Sequence, residues 1–65
     1  MKLLDELRSL GFHLNVWNDF DRGKMVRIWL HGKYIETMYY QEHSNTWVTN
    51  LHNFKLTKEY FKELL

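Results

Sequence analysis

The chain has 65 residues, a formal net charge of +1, no cysteine, and 17% aromatic residues. The missing cysteines exclude disulfides and thiolate zinc sites, and the near balance of charge is unlike the dense basic surface of duplex DNA-binding proteins. A chain this short buries only about 60% of the surface its unfolded form exposes, so its stability depends on large rings or on self-association. We therefore expect one small domain, residues 1–65.

The first predicted element is an amphipathic helix over residues 2–10. Leucines recur at helical spacing on one side of it, at Leu3, Leu4, Leu7 and Leu10. Gly11 follows, where a helix commonly ends in the left-handed conformation. Charged residues every few positions exclude the apolar core of a signal peptide, and no window approaches the roughly 20 apolar residues of a membrane span. We therefore expect a cytoplasmic protein.

From Phe12 onward the apolar period changes from helical spacing to two, which predicts strands. Turn-forming segments at residues 18–24, 31–32 and 43–45 separate them. The predicted strands are residues 12–17, 25–31, 33–41 and, for a short fourth strand, 46–50.

A second, short helix is predicted over residues 58–65. Thr57 is a suitable N-cap, and Leu56 and Phe61 stand at the two positions of a hydrophobic staple. The predicted fold is therefore α+β, a three- to four-stranded antiparallel meander flanked by an N-terminal and a short C-terminal helix.

The tight turn at His31-Gly32 predicts a register for strands two and three, in which Leu30 faces Lys33. It also pairs an aromatic couple, an ion pair and two thioethers: Trp29 with Tyr34, Arg27 with Glu36, and Met25 with Met38. One face of the sheet is then mostly aliphatic, and the other is rich in the residue types enriched at contact surfaces. The candidate partner or dimer face comprises Met25, Arg27, Trp29, Tyr34, Glu36, Met38 and Tyr40, with Trp17 and Trp47 nearby.

Three interpretations of this second face remain open. Both faces are core, with one helix on each side of the sheet or with the sheet curled on itself; or the second face is a homodimer interface; or it is an open platform on which single-stranded nucleic acid stacks. For the third, the candidate nucleic-acid contacts besides Arg27 and the rings are Lys24, Lys33, Lys55 and Lys58. The carboxylate of Glu36 in the middle of the face disfavours nucleic-acid binding, because it would repel the phosphate backbone.

The sequence contains no pattern typical of catalysis, of a cofactor or of a metal site. The four histidines, His13, His31, His43 and His52, show neither close H-x-x-x-H spacing nor a partnering cysteine. Asp19 and Asp21 open like a calcium loop, but Leu30 stands where the loop needs its bidentate Glu. We therefore predict a non-enzymatic protein that acts through protein contacts, without cofactor and without membrane association.

The stretch from Leu3 through Phe12, followed by strands and a last helix, resembles the layout of double-stranded RNA-binding domains and of HicA-type toxin ribonucleases. The first resemblance implies RNA contacts at Lys55 and Lys58. The toxins carry a catalytic Gly-Ser-His in the next hairpin, where this chain has Asp-Arg-Gly-Lys at residues 21–24. The chain, which lacks Ala and Pro and is rich in Asn and Lys, is also similar to small prophage proteins of low-GC Gram-positive bacteria, some of which are homodimers.

Overall fold

The computed structural model describes residues 2–49 and 56–65 of the chain. The elements are α1 (Lys2–Ser9), β1 (His13–Asp19), β2 (Gly23–Leu30), β3 (Lys33–Gln41), β4 (Thr46–Thr49) and α2 (Lys58–Lys62). The strands form one antiparallel sheet in the order β1-β2-β3-β4. The predicted α+β layout is confirmed. Asn50, the predicted last residue of the fourth strand, lies outside the described residues, as do His52 and Lys55.

Both helices pack on the same face of the sheet. The leucine stripe of α1 and Phe61 of α2 enclose one core with residues of the sheet. The buried members of this core are Leu4, Leu7, Phe12, Val26, Ile28, Met38, Trp47, Leu56 and Phe61. An ion pair between Lys58 and Glu6, with Nζ 3.3 Å from Oε2, joins the two helices. The arrangement with one helix on each side of the sheet is therefore wrong for the described residues.

The start of α2 follows the predicted capping. Thr57 is extended, with φ −130°, and its side-chain oxygen accepts a hydrogen bond from the Tyr60 amide at 3.4 Å. Leu56 and Phe61, the two staple residues, are both buried in the core. The Leu56 amide also donates to the Trp47 carbonyl at 2.8 Å, which ties the start of α2 to β4.

A β-bulge interrupts the pairing of β2 with β3. Leu30 pairs with Lys33 and Trp29 with Tyr34, as predicted for a loop of His31 and Gly32. Ile28 then pairs with Glu36, so Ile35 is an extra residue on β3 that has no partner of its own on β2.

The bulge shifts every later pair by one residue, which makes part of the predicted register wrong. Arg27 pairs with Thr37 rather than with Glu36, and Met25 pairs with Tyr39 rather than with Met38. A shift of one residue turns each side chain to the opposite face of the sheet. Glu36, Met38 and Tyr40 therefore lie on the helix-covered face, whereas Thr37 and Tyr39 lie on the other.

Burial beneath the helices explains why the bulged register is preferred. A regular ladder would place Thr37 opposite Val26 in the core, whereas the bulge places Met38 there, and both Val26 and Met38 are fully buried. Burying a Met side chain contributes roughly 1.5–3 kcal/mol, while burying a hydroxyl without a partner costs roughly 1–3 kcal/mol. This difference offsets the local disruption of the ladder.

We expect lysine substitutions on neighbouring residues of β3 to have opposite outcomes. Met38→Lys places an unpaired charge in the core and should abolish cooperative folding, because such a loss, about 4 kcal/mol or more, consumes the stability of a domain this small. Thr37→Lys should cost only about 1 kcal/mol, chiefly through one lost hydrogen bond. Urea denaturation followed by circular dichroism measures both. The opposite result, in which Met38→Lys is stable and Thr37→Lys is unfolded, would contradict the bulge and indicate the regular register.

Candidate functional site

The sheet has a second face, opposite the helices, which we call the outer face. Its members are His13, Asn15, Trp17 and Asp19 of β1, Met25, Arg27 and Trp29 of β2, Tyr34, Thr37, Tyr39 and Gln41 of β3, and Thr46 and Val48 of β4. The residues of the chain that the structure describes provide no helix on this side of the sheet. The outer face is therefore the candidate site for a partner.

Cross-strand pairing aligns the outer-face residues in rows. One row runs across the whole sheet, from Trp17 through Met25 and Tyr39 to Val48. Met25 and Val48 in this row are each only 4% exposed, whereas Tyr34, toward the β2–β3 turn, is 48% exposed. The accessible part of the outer face therefore lies over β1, β2 and the first half of β3.

The polar atoms of the Trp29 and Tyr34 rings are already paired within the outer face. The Trp29 indole N–H donates to Asn15 Oδ1 at 2.7 Å, and the Tyr34 hydroxyl is hydrogen-bonded to the Thr37 hydroxyl at 2.6 Å. The Trp29 and Tyr34 rings meet edge to face, with centroids 5.6 Å apart. The bulge makes the Tyr34–Thr37 bond possible, because residues three apart on a regular strand point to opposite faces.

Arg27 provides the positive charge of the outer face. It is exposed, and its guanidinium carbon lies 5.0 Å from the centroid of the Trp17 ring, which is the geometry of a cation–π contact. The acidic side chain on this face is Asp19, at the end of β1, where its Oδ2 accepts two amides of the β1–β2 turn. No Glu, Lys or other Arg lies on this face among the described strand residues. The site is therefore a mostly uncharged aromatic surface with one fixed cation.

The sequence-predicted partner face is only partly brought together. Met25, Arg27, Trp29 and Tyr34 share the outer face, whereas the structure places three other predicted members beneath the helices: Glu36, Met38 and Tyr40. Trp47 also belongs to the core, with its ring 5.2 Å from that of Tyr40.

Sequence reasoning missed several outer-face residues. The alternation with Trp17 along β1 was sufficient to place His13 and Asn15 on this face. Thr37 and Tyr39 required knowledge of the bulge, for which the sequence carries no local signal such as a glycine.

The lysines predicted to contact nucleic acid do not lie on the outer face. Lys24 alternates with Met25 along β2 and so shares the helix-covered side with Val26. Lys33 pairs with the partly buried Leu30 beside the turn, and Lys58 is engaged by Glu6. Lys55 lies outside the described residues. The phosphate backbone of a nucleic acid bound to the outer face would therefore contact Arg27 but none of Lys24, Lys33 or Lys58.

Neither the histidines nor the aspartates of the described residues form a reactive cluster. His13, His31 and His43 are all exposed. Among the described residues, no group of three or more His, Cys, Asp or Glu is placed to hold a metal ion. Asp19 instead stabilises the β1–β2 turn, where its Oδ2 accepts the amides of Asp21 and Arg22, each at 3.1 Å.

Two shallow grooves indent the surface. The larger, about 440 Å³, lies between the β1–β2 turn and the end of β3 and includes Arg22, Glu42 and His43. The smaller, about 380 Å³, lies between α1 and the β3–β4 turn.

Comparison with known protein families, with curated proteins and with solved structures gives no match to this chain. The resemblance to RNA-binding domains, to HicA-type toxins and to prophage proteins therefore stays a prediction. Within the part of the chain that the structure describes, neither helix has the length and apolar character needed to cross a bilayer.

The packing of α2 on the sheet has a measurable consequence at Tyr60, which is partly buried and near Glu36. Burial, and to a lesser extent the negative charge of Glu36, raise the pKa of the Tyr60 phenol above its usual 10.0. Because the folded state holds this proton more tightly than the unfolded state, the stability it contributes is complete below pH 10 and is lost as the pH rises through the raised pKa.

We therefore expect Tyr60→Phe to weaken the alkaline loss of stability. The free energy of unfolding of the wild type should fall more steeply between about pH 9 and about pH 11 than that of the variant. Urea denaturation across this range measures the difference. Equal slopes for the wild type and Tyr60→Phe would contradict the partial burial of Tyr60 near Glu36.

Proposed function

We propose that this protein is a small non-enzymatic binding module that acts through protein contacts, with the outer face as its recognition surface. The observation that carries the proposal is the aromatic set around Arg27, in which Tyr34 is exposed and Trp17 and Trp29 are partly exposed, on the side of the sheet away from both helices. Trp, Tyr and Arg are the residue types that dominate binding energy in protein interfaces. A cytoplasmic, homodimeric protein of prophage origin, as the composition and resemblance predict, is part of the same proposal.

The internal hydrogen bonds of the outer face favour a protein partner. Burying a polar group without a hydrogen bond costs roughly 1–3 kcal/mol, which would oppose binding to an apolar surface. Because Trp29 bonds Asn15 and Tyr34 bonds Thr37, these groups keep their bonds when a partner covers them. A dry, apolar contact over Trp29 and Tyr34 is therefore not opposed by their polar atoms.

Arg27 defines the polar part of the proposed recognition. Its guanidinium is held over Trp17 and exposed, so its donors can form a bidentate pair with a carboxylate. The partner that fits is a protein segment with one Asp or Glu flanked by aromatic or aliphatic side chains.

Single-stranded nucleic acid is the alternative, favoured by the exposed rings but not by the charges. Bases stack on aromatic side chains with little sequence preference, and such sites combine the rings with a positively charged groove. Only Arg27 provides such a charge within the outer face, since Lys24, Lys33 and Lys58 lie elsewhere. We therefore place protein binding first.

The proposal predicts the composition of peptides that the protein selects. Peptides selected from a random displayed library should combine an acidic residue with neighbouring apolar ones. Arg27→Glu should weaken their binding at least about tenfold, because a repulsive charge replaces a charge-assisted hydrogen bond. Lys24→Glu is the matched control, since it makes the same charge change on the other side of the same strand, and should bind as the wild type does.

Two outcomes would count against protein recognition by the outer face. One is a selected peptide that binds Arg27→Glu and Trp29→Ala as tightly as the wild type. The other is preferential binding of an oligothymidylate at about 50 mM salt, with tryptophan quenching that weakens as the salt concentration rises, which would support the nucleic-acid alternative instead. Both are measured by fluorescence titration.

A further inference from the structure

Strand β1 forms one edge of the sheet and lacks the features that usually protect such an edge. The sheet order places it outermost, and it extends over seven residues, His13–Asp19. Its pairing with β2 is regular along its whole length, and it contains neither Pro nor Lys. Proteins commonly protect exposed edges with prolines, lysines or bulges, because the unpaired backbone groups of a free edge accept another strand.

We propose that β1 pairs antiparallel with β1 of a second copy, about a two-fold axis at Val16, to form a continuous eight-stranded sheet. Val16 is the middle residue of the strand. A two-fold axis there pairs each residue with its mirror position in the strand, so that His13 stands opposite Asp19 of the second copy and Asn15 opposite Trp17. The whole strand is then paired, and the two-fold axis closes the assembly.

The two ends of β1 are chemically complementary in this register. His13 and Asp19 both point to the outer side of the sheet, because they are an even number of residues apart on β1. His13 of each copy would therefore contact Asp19 of the other copy, which gives two such contacts per dimer. An imidazole N–H donates to a carboxylate in either protonation state of the ring. Asp19 uses Oδ2 for the turn amides of its own chain, and Oδ1 takes no part in those bonds.

The apolar exposure along this edge also fits a second copy. Val16 is 44% exposed on the helix-covered side of β1, and the axis would bury it against Val16 of the second copy. Phe20, which directly follows the strand, is completely exposed, at 102%. In the same register it stands opposite Phe12 of the second copy, the residue that directly precedes β1 of that copy. The exposed apolar residues in and beside β1 are thus accounted for by one contact.

The inference deepens the homodimer of the proposed function by naming its surface, and it does not depend on what the outer face binds. Pairing of β1 with β1 leaves the two outer faces side by side, with Trp17 of one copy next to Asn15 of the other. The dimer would therefore present one aromatic surface with Arg27 on each side of the axis. Pairing of β1 with β4 of another copy would instead be a head-to-tail contact between unlike edges, which gives a ring or an open filament rather than a two-fold dimer.

Light scattering across a dilution series from millimolar to micromolar concentration tests the dimer. The wild type should approach twice 8.1 kDa at high concentration. Val16→Lys, which opposes two ammonium groups at the axis, and His13→Asp, which opposes carboxylates at both ends, should each remain at 8.1 kDa. His13→Lys keeps a donor opposite Asp19 and should still dimerise. A wild type that is monomeric throughout, or a dimer unaffected by Val16→Lys and His13→Asp, would overturn the proposal.

Single cysteines test the register, because the chain has none of its own. Val16→Cys stands opposite its own symmetry mate and should form a disulfide-linked dimer when glutathione disulfide is the oxidant. Asn18→Cys is the matched control, because it lies four residues, about 14 Å, from its symmetry mate and should remain unlinked. Equal cross-linking of the two variants, or more with Asn18→Cys, would contradict the register.

Tyr34→Lys separates a failure of the dimer from a failure of the proposed function. Tyr34 lies on β3, away from the β1 edge, so the substitution should abolish peptide binding and leave the dimer mass unchanged. Val16→Lys should do the reverse, with a folded monomer, verified by circular dichroism, that still binds the selected peptide. A loss of dimerisation in Tyr34→Lys would place the dimer contact on the outer face and overturn pairing through β1.

Discussion

The extra residue at Ile35 determines what each face of the sheet carries. On either side of this bulge the strands pair regularly, but the two halves of β3 differ in phase. Ile35, Met38 and Tyr40 consequently pack with the core beneath the helices. Without the bulge, a threonine would occupy a fully buried position of the core, and Met38 would lie on the other side of the sheet. The burial of Met38 is thus the main free-energy gain that selects this register.

The same bulge organises the outer face. It brings Thr37 to the side of Tyr34, where the two hydroxyls bond, and it places Thr37 beside Arg27 in the ladder. The Trp29 indole N–H is in turn bonded to Asn15. The polar atoms of the Trp29 and Tyr34 rings are therefore paired, and these bonds fix the positions of the rings. A surface of this kind loses little conformational entropy when it is covered, which favours binding through preorganisation.

The sequence was sufficient to predict the elements, because each has a strong local signal: the leucine stripe of α1, the period of two in the strands, the turn at His31-Gly32 and the Thr57 cap. It was insufficient for the membership of the two faces. The regular register offered an attractive ion pair between Arg27 and Glu36, but an exposed pair contributes only about 0.2–1 kcal/mol. The burial of Met38, which depends on both helices covering one face, is a tertiary effect several times larger.

The composition of both faces depends on which residues of β2 pair with β3 after Ile35. Cross-strand nuclear Overhauser effects in solution measure this pairing. The bulged ladder predicts backbone contacts of Arg27 with Thr37 and of Val26 with Met38, together with the contact of Trp29 with Tyr34. The regular ladder would instead show Arg27 with Glu36 and Met25 with Met38. Observation of the second set would move Met38 to the outer face and contradict both the core and the candidate site described above.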